Sequence, residues 1–348
     1  MAEMYRDARM DTAALEYELP PELIAQRPTK RRDESRLLVY DRATGAVRHR
    51  RFSELPEELS GELVVVNETR VIPARLRLRR PGGGDAEVLL LERVGPDGVW
   101  EGLARPTRRL RAGLQLGPVE LLEPLGEGRW LLRLEGAPAG EMPLPPYITE
   151  PLDDPERYQT VFAREEGSAA APTAGLHFTP ELLASLDVAR VTLHVGLDTF
   201  RPVEAETLDE HRIHSERYEV TAPEWERIRA APKVLAVGTT TVRVLETLAS
   251  NSLLQGRHDP AAAASEAGAP GPSEASNRLL RGRTELFITP GFEFKRVDAL
   301  LTNFHLPRST LLALVMAFAG IEETRRLYEL AIEERYRFYS FGDAMLIL

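Results

Sequence analysis

The chain has 348 residues, of which 43% are hydrophobic and 28% are charged, as in an ordinary soluble globular protein. Its length exceeds what one hydrophobic core usually supports, so we expect two domains. The absence of cysteine excludes thiol nucleophiles, zinc–thiolate sites and iron–sulfur clusters, and a net charge of −10 argues against a general nucleic-acid coat. No apolar run approaches a membrane span and the polar first residues do not form a signal peptide, so a cytoplasmic location is expected.

The first 80 residues predict a short helix and two strands. Residues 17–25 contain a proline pair, Pro20 and Pro21, that favours a short helix, and residues 36–40 have the apolar pattern of a strand. The segment between them, residues 26–35, is rich in Arg and Lys, which fits either a solvated loop or a phosphate contact. Residues 61–78 then predict a second apolar strand that ends in a polar turn before the chain turns again at Pro73.

A change of pattern marks an inserted domain. Short β-rich segments separated by Gly and Pro turns are typical of a small antiparallel barrel or sandwich. We therefore predict an α/β fold in which a larger α/β domain, residues 1–62 and 150–348, carries a small antiparallel β-barrel, residues 63–149. Eight of its arginines could form one basic surface suited to an RNA backbone, although a dense cluster is more often just a solvated face. They are Arg75, Arg77, Arg79, Arg80, Arg105, Arg108, Arg109 and Arg111.

Residues 171–179 form the first of three polar turns that precede a predicted helix. Thr179 is expected to cap the helix that follows it. His177 stands two residues before this cap, where the positive end of the helix favours a neutral imidazole that can accept a proton. Further on, residues 191–195 alternate like a strand, with Thr192 and His194 on the face opposite the apolar residues.

The second turn lies in residues 234–246, where a buried strand meets three consecutive threonines, residues 239–241. Arg243 falls near the start of the predicted helix, where the helix dipole disfavours a cation. Its presence there suggests that it binds an anion. The alternative is that Arg243 is a surface residue that pairs with Glu246.

The third turn, within residues 297–320, joins a buried strand to a helix that is apolar on every face and ends at Gly320. Thr302, Asn303, Phe304 and His305 lie between them. In open α/β sheets ligands bind where strands end and helices begin, so this turn is the predicted floor of a site. The alternative is that Asn303 only forms the turn and that His305 only caps a helix.

The remaining segments carry weaker predictions. His211 and His214 are three apart, a spacing that can hold a metal on a helix, but no third ligand follows at a recognisable interval, so we expect no metal site. Residues 251–283 are rich in Ala, Gly, Pro and Ser and predict a mobile insertion. Residues 322–348 are expected to close the chain as a charged amphipathic helix.

Together these segments resemble one family, the S-adenosylmethionine:tRNA ribosyltransferase-isomerases of queuosine biosynthesis. The matching motifs span nearly the whole chain in the family's order. They are ELPPELIAQRP (18–28), SRLLV (35–39), VNETRVIPARL (66–76), GEMPLPPYI (140–148), RYQTVFA (157–163), APTAGLHFT (171–179), VTLHVGLDTFRPV (191–203), HSERYEV (214–220), AVGTTTVRVLE (236–246), TNFHLPRSTLL (302–312) and RYRFYSFGDAMLI (335–347).

The resemblance implies a monomeric two-domain α/β protein with an inserted barrel. It also implies transfer and isomerisation of the ribosyl part of S-adenosylmethionine onto 7-aminomethyl-7-deazaguanine at the tRNA wobble position, with release of adenine and methionine. S-adenosylmethionine is then a substrate, and no metal or redox cofactor is expected. Two positions depart from the family pattern. Glu68 replaces the usual Asp or Asn, and Asp198 replaces a Gly, which leaves any role of that second turn open.

Candidate roles follow from this chemistry. The sulfonium of S-adenosylmethionine acidifies the adjacent 5′ carbon of the ribose, so the reaction needs a neutral base beside that carbon. It also needs a hydrogen-bond donor for the departing adenine and a clamp for the methionine carboxylate. We expect His177 or His305 as base and acid, Arg243 with Thr239, Thr240 and Thr241 as the clamp, and Asn303 as a positioning donor. The other expected contacts are Thr173, Gly175, Phe178 and Phe304 for the substrate, and Arg70, Arg75, Arg105, Arg108 and Arg109 for tRNA. Two rival functions are a metal-dependent hydrolase using His211 and His214, and a non-catalytic RNA-binding module.

Overall fold

The computed structural model describes residues 10–95, 97–196, 202–255 and 278–348, with the backbone alone for 251–255. The helices are α1 (Leu55–Glu58), α2 (Pro180–Ala184), α3 (Ala222–Ala230), α4 (Thr239–Gln255), α5 (Thr310–Ala319) and α6 (Ile321–Glu333). The strands are β1 (Arg36–Tyr40), β2 (Val47–Arg51), β3 (Leu63–Asn67), β4 (Thr69–Val71), β5 (Arg75–Arg79), β6 (Asp85–Arg93), β7 (Val99–Arg105), β8 (Gln115–Leu116), β9 (Val119–Gly126), β10 (Arg129–Leu134), β11 (Glu165–Ser168), β12 (Val188–Leu193), β13 (Glu216–Thr221), β14 (Val234–Val237), β15 (Leu279–Thr284), β16 (Ala299–Asn303) and β17 (Ala344–Ile347).

A nine-stranded mixed sheet forms the centre of the larger domain, in the order β15-β13-β12-β3-β14-β16-β17-β1-β2. Strands β12, β3, β14 and β16 run parallel, which brings their carboxyl ends to one edge. Strands β3, β14 and β16 are buried along their whole length because both faces of the sheet are covered. Val65 and Ala236 pack on one face, against the cluster that includes α4 and α5, whereas Val64 and Leu235 pack on the other.

The second sheet is a six-stranded antiparallel barrel in the order β5-β6-β7-β10-β9-β8. It has its own core, which includes Trp100 and Trp130. Gly117, beside β8, lies against Leu78 of β5, so the two edge strands nearly meet. The fold class predicted from the sequence, an α/β domain with an inserted small antiparallel barrel, is therefore confirmed.

The boundaries of the barrel differ from those predicted. The predicted start at residue 63 is wrong because β3 lies inside the larger sheet, between β12 and β14, with all five of its residues buried. The next strand, β4, pairs in parallel with β11 from the far side of the insertion. The chain thus leaves the larger domain after β4 and returns to it before β11.

Two predicted segments also differ. Most of the predicted mobile insertion, residues 256–277, lies outside the described residues, but both flanks are regular: α4 reaches Gln255, and Leu279–Thr284 forms β15 against β13. The helix expected to run to residue 348 ends at Glu333. The residues after it turn back, and Ala344–Ile347 enters the sheet as β17 because its four side chains are apolar and all buried. Within the described ranges, no helix is long and apolar enough to cross a membrane.

Candidate functional site

Three polar turns meet at the carboxyl edge of the parallel strands, as ligand sites in α/β sheets do. The turn at Thr173–His177 lies beside the end of β16, and the other two turns follow β14 and β16 directly. Together they line a small cavity of about 40 Å³, here called the inner cavity. Its polar lining residues are Tyr147, Thr173, Thr239, Thr240, Thr302, Asn303, His305, Tyr339 and Ser340.

A larger cavity of about 160 Å³, here called the outer cavity, adjoins the inner one and shares Val195, Thr239, Thr240 and Leu311 with it. Its walls come from both domains. The apolar part includes Leu103, Leu286, Phe287, Ile288 and Leu314, and the polar part includes Glu92, Glu101, Arg129, His194, His211, His214, Glu216, Arg217, Arg243 and Arg283. The walls therefore place apolar side chains beside charged groups.

Three arginine–glutamate pairs line the outer cavity. Arg129 of the barrel pairs with Glu101 at 2.7 Å. Arg283 of the larger domain makes two bonds, of 2.8 and 3.1 Å, to Glu92 of the barrel, which ties the two domains across the cavity. The third pair, Arg243 with Glu216, lies within the larger domain.

His177 lies behind the inner cavity rather than in its wall. Its Nδ1 is 2.7 Å from the Ser35 hydroxyl, and its Nε2 accepts a bond of 3.2 Å from the Asn303 amide. Asn303 in turn accepts a bond of 2.9 Å from the hydroxyl of Thr173, which faces the cavity. The imidazole therefore reaches the cavity only through Asn303 and Thr173.

Both predicted catalytic histidines are neutral, but burial rather than a helix dipole is the main cause. Burial lowers the pKa of His177 to about 3, with smaller contributions from Arg337 and Arg32. Burial alone lowers the pKa of His305 to about 3. His305 does line the inner cavity, where its Nε2 is 2.7 Å from the Thr302 hydroxyl.

Arg243 already has a partner in the folded chain. Its guanidinium pairs with Glu216 of β13 and also donates to the backbone carbonyls of Leu286 and Thr284. Both members of the pair are more than nine-tenths buried. The alternative partner considered from the sequence, Glu246, is wrong, because its carboxylate accepts from the backbone N–H groups of residues 295–297.

The three threonines at the start of α4 occupy different positions. Thr239 is 5% exposed, lines both cavities, and its hydroxyl has no hydrogen-bond partner within the described part of the chain. The Thr240 hydroxyl accepts a bond of 3.3 Å from Asn67, whose carbonyl oxygen accepts the Leu193 N–H. Thr241 donates back to Val237 and is fully buried, so it lies in neither cavity wall.

Three predicted substrate contacts are core residues. Phe178 is fully buried and packs edge-on against Phe52. Gly175 is also buried, and a Cβ atom there would lie 2.6 Å from the ring of Phe162. The Phe304 ring is fully buried in an aromatic cluster, although the residue borders the inner cavity. Side-chain contact with a ligand is not available to Phe178 or Phe304 in this structure.

The predicted tRNA contacts fall into two groups. Arg70 pairs with Glu156 at 2.5 Å, and Arg75 donates to the Leu144 carbonyl at 3.2 Å. The other three are exposed and form no ion pair in the part of the chain that is described; they are Arg105, Arg108 and Arg109. Only this second group is free to meet a phosphate.

The sequence-derived prediction missed part of the site. His194 and Glu216 belong to segments that had been singled out, but nothing local indicated that they face a cavity. Tyr147, Tyr339 and Ser340 line the inner cavity, and the Tyr147 hydroxyl is 2.7 Å from that of Ser340. The aromatic residues interleaved with polar ones near residue 340 were the only available signal for the last two.

Of the two positions that depart from the family pattern, Glu68 and Asp198, the structure describes only the first. Glu68 is largely buried beside Arg164 and Arg190, at 3.8 and 3.5 Å, and its Oε2 has no hydrogen bond in the described structure. Burial raises the pKa of this carboxyl group. Asp198 lies outside the described residues. Within the described ranges, no group of three or more His, Asp or Glu side chains could hold a metal ion, and this includes His211 and His214.

Comparison with known proteins places this geometry in a family. The family model for queuosine biosynthesis proteins matches residues 12–347. The chain is 51% identical to the S-adenosylmethionine:tRNA ribosyltransferase-isomerase of Rubrobacter xylanophilus, over 97% of this chain and 98% of that protein. It is also 51% identical to the protein of the same name from Moorella thermoacetica, over 96% and 98%.

A solved structure also resembles this chain. The crystal structure of the S-adenosylmethionine tRNA ribosyltransferase from Thermotoga maritima is similar with a TM-score of 0.52 and 38% sequence identity, covering 96% of this chain and 100% of that one. The sequence and the fold therefore lead to one conclusion: the chain belongs to the queuosine biosynthesis protein family.

Proposed function

We propose that this protein is an S-adenosylmethionine:tRNA ribosyltransferase-isomerase. It transfers and isomerises the ribosyl moiety of S-adenosylmethionine onto 7-aminomethyl-7-deazaguanine at the tRNA wobble position, which yields epoxyqueuosine-tRNA, adenine and methionine. The observation that carries the proposal is the near full-length identity of about half to proteins with that name, in a chain whose polar turns converge on one pair of cavities.

The outer cavity suits the nucleoside part of S-adenosylmethionine. Its apolar wall, formed in part by Phe287, Ile288 and Leu314, can cover a purine ring. The outer cavity also carries negative charge, from Glu92, Glu101 and Glu216. This charge would face two cations, the sulfonium of S-adenosylmethionine and the ammonium of 7-aminomethyl-7-deazaguanine. The arginine partners of these glutamates keep this charge from being uncompensated in the free enzyme.

The methionine carboxylate has a different clamp from the one expected. Because Arg243 is held by Glu216, the anion would meet the start of α4, where backbone N–H groups and the dipole favour negative charge. The Thr239 hydroxyl, which has no partner among the residues described, lies at this point, where the two cavities join. Asn303 and Thr173 would position the same substrate from the opposite wall, supported by the neutral His177.

The exposed arginines of the barrel would hold the tRNA backbone beside the outer cavity. Glu101, Leu103 and Arg105 alternate along β7 and so share one face, and the first two of them line the cavity. Arg108 and Arg109 follow directly in the next turn. A phosphate backbone bound there would bring an anticodon base to the cavity mouth.

The proposal also includes that the enzyme is monomeric and cytoplasmic and that it uses no metal or redox cofactor. Adenine release from S-adenosylmethionine, measured with tRNA carrying 7-aminomethyl-7-deazaguanine and with unmodified tRNA, tests it. We expect release only with the modified tRNA, unchanged by a chelator. A metal-dependent hydrolase would lose its activity in chelator, and a non-catalytic RNA-binding module would bind tRNA without releasing adenine.

A further inference from the structure

His194 is one of three histidines in the wall of the outer cavity, together with His211 and His214. It follows β12 directly, where its backbone N–H donates to the Arg217 carbonyl of the neighbouring chain segment at 3.0 Å. It belongs to the cavity wall, as does Glu92 of the barrel. This position differs from that of His177, which lies outside both cavity walls, and from that of His305, which borders only the inner cavity.

The hydrogen bonds around His194 fix its tautomer. Its Nδ1 is 3.2 Å from the hydroxyl of Thr69, and that hydroxyl is also 3.3 Å from the backbone carbonyl of Glu165. Because the hydroxyl has one proton and the carbonyl can only accept, Thr69 donates to Glu165 and accepts from Nδ1–H. The lone pair of the neutral ring is therefore on Nε2, which has no partner among the residues described.

Packing also restricts the position of the His194 ring. A Cβ atom at Gly167 would lie 2.9 Å from Nδ1 of His194, so the imidazole packs directly on a residue without a side chain. Asn67 accepts the backbone N–H of Thr69 at 3.2 Å, which fixes the hydroxyl that orients the ring. A base whose partner is itself oriented by a third group is the usual arrangement in acid–base catalysis.

The charges that face His194 favour a ring that is neutral at neutral pH. Burial lowers its pKa, and the guanidinium of Arg217 lowers it further. Two carboxylates, Glu219 and Glu92, act in the opposite direction but contribute less. The ring can thus accept a proton under the conditions in which the enzyme would work.

We propose that His194 is the general base that removes a 5′ proton of S-adenosylmethionine in the outer cavity. The C5′–H bond breaks, an Nε2–H bond forms, and the electron pair stays on C5′ beside the positive sulfur. The inference rests on the proposed function, since it assigns one step of that reaction. It departs from the expectation that His177 or His305 is the base, because the Nε2 of each of those rings already has a protein partner.

The test compares His194→Gln with His49→Gln, a matched change in an exposed histidine of β2 at the far edge of the same sheet. Three quantities are measured: adenine release, loss of deuterium from S-adenosylmethionine labelled at C5′, and the Kd of S-adenosylmethionine by equilibrium dialysis. For His194→Gln we expect both rates to fall at least about 100-fold, as for loss of a general base, with the Kd changed less than about threefold. For His49→Gln all three should match the wild type.

Other outcomes overturn the inference. A folded His194→Gln enzyme that keeps more than a tenth of the wild-type rate, or one that is slow only because it no longer binds S-adenosylmethionine, contradicts a base at this position. If the wild type itself releases no adenine, the proposed function fails first, whereas an active wild type with an active variant rejects His194 alone.

A second variant covers the case in which His194→Gln does not fold. Thr69→Val keeps the ring and removes the hydroxyl that fixes its tautomer. We expect kcat to fall about tenfold with KM nearly unchanged, and the acid limb of the kcat/KM profile to move, because that limb reports the base of the free enzyme. An unchanged pH profile and rate in Thr69→Val would contradict the proposal.

Discussion

Replacing Arg243 by Met tests whether this arginine is part of the folded core or a clamp for substrate. In the native chain its guanidinium neutralises Glu216, which among the described residues otherwise accepts only the backbone N–H of Gly196, at 2.9 Å. Arg243→Met fills a similar volume but leaves a buried carboxylate without a counter-charge. Such a loss costs about 3–5 kcal/mol, a large part of the total stability of about 5–15 kcal/mol of a typical protein.

The double variant Glu216→Gln/Arg243→Met separates charge from packing. It removes both charges and keeps an oxygen that can accept the Gly196 N–H. The carbonyls of Leu286 and Thr284 still lose their donor, at about 1 kcal/mol each. We therefore expect the double variant to be about 1–3 kcal/mol less stable than the wild type, and more stable than Arg243→Met alone.

Urea unfolding followed by circular dichroism gives these free energies, provided that the slope with denaturant stays constant. A loss below about 1 kcal/mol in Arg243→Met, or a double variant that is the least stable of all, would refute the core role. The Kd of S-adenosylmethionine in the folded double variant tests the clamp. We expect a change of less than about threefold, and a tenfold or greater loss of affinity would restore Arg243 as an anion clamp.

Three further changes test other parts of the structure. Glu68→Gln should be at least as stable as the wild type at pH 7, because a carboxyl whose pKa is raised by folding costs stability above its unfolded pKa; thermal unfolding should show a smaller difference near pH 4. Gly175→Ala should lose about 1–3 kcal/mol in urea unfolding, because its methyl group would overlap Phe162, and an unchanged midpoint would contradict that packing. Arg105→Ala with Arg108→Ala should weaken tRNA binding and flatten its dependence on salt, and equal affinity at several salt concentrations would reject this surface.

The local part of the site was predictable from the sequence. Polar residues concentrated after buried strands at Thr239 and Asn303 indicated two strand ends, and parallel strands bring such ends to one edge of a sheet. The polar turn at Thr173 was indicated by the helix predicted after it. The caps followed the same local chemistry, since the side chains of Thr179 and Ser309 accept N–H groups of α2 and α5 as expected.

The long-range part was not predictable. The partner of Arg243 is Glu216, 27 residues away on β13, and no local spacing distinguishes that carboxylate from others nearby. Alternation placed His194 on the polar face of its strand, but only the packing of the barrel shows that this face borders a cavity. Phe178 and Thr241 are fully buried, and their positions inside polar turns gave no sign that they face the core.

The position of β17 has a consequence for how the chain reaches its native state. Among the described strands, β1 and β2 are joined to the rest of the sheet only through β17, which lies between β1 and β16, so the hairpin of β1 and β2 has no docking place until residues 344–347 are available. About 300 residues separate the two paired strands, and such distant pairings slow folding. During synthesis the hairpin is therefore made early but stays undocked until residues 344–347 are available, and a chain that lacks them would expose two unpaired sheet edges to aggregation.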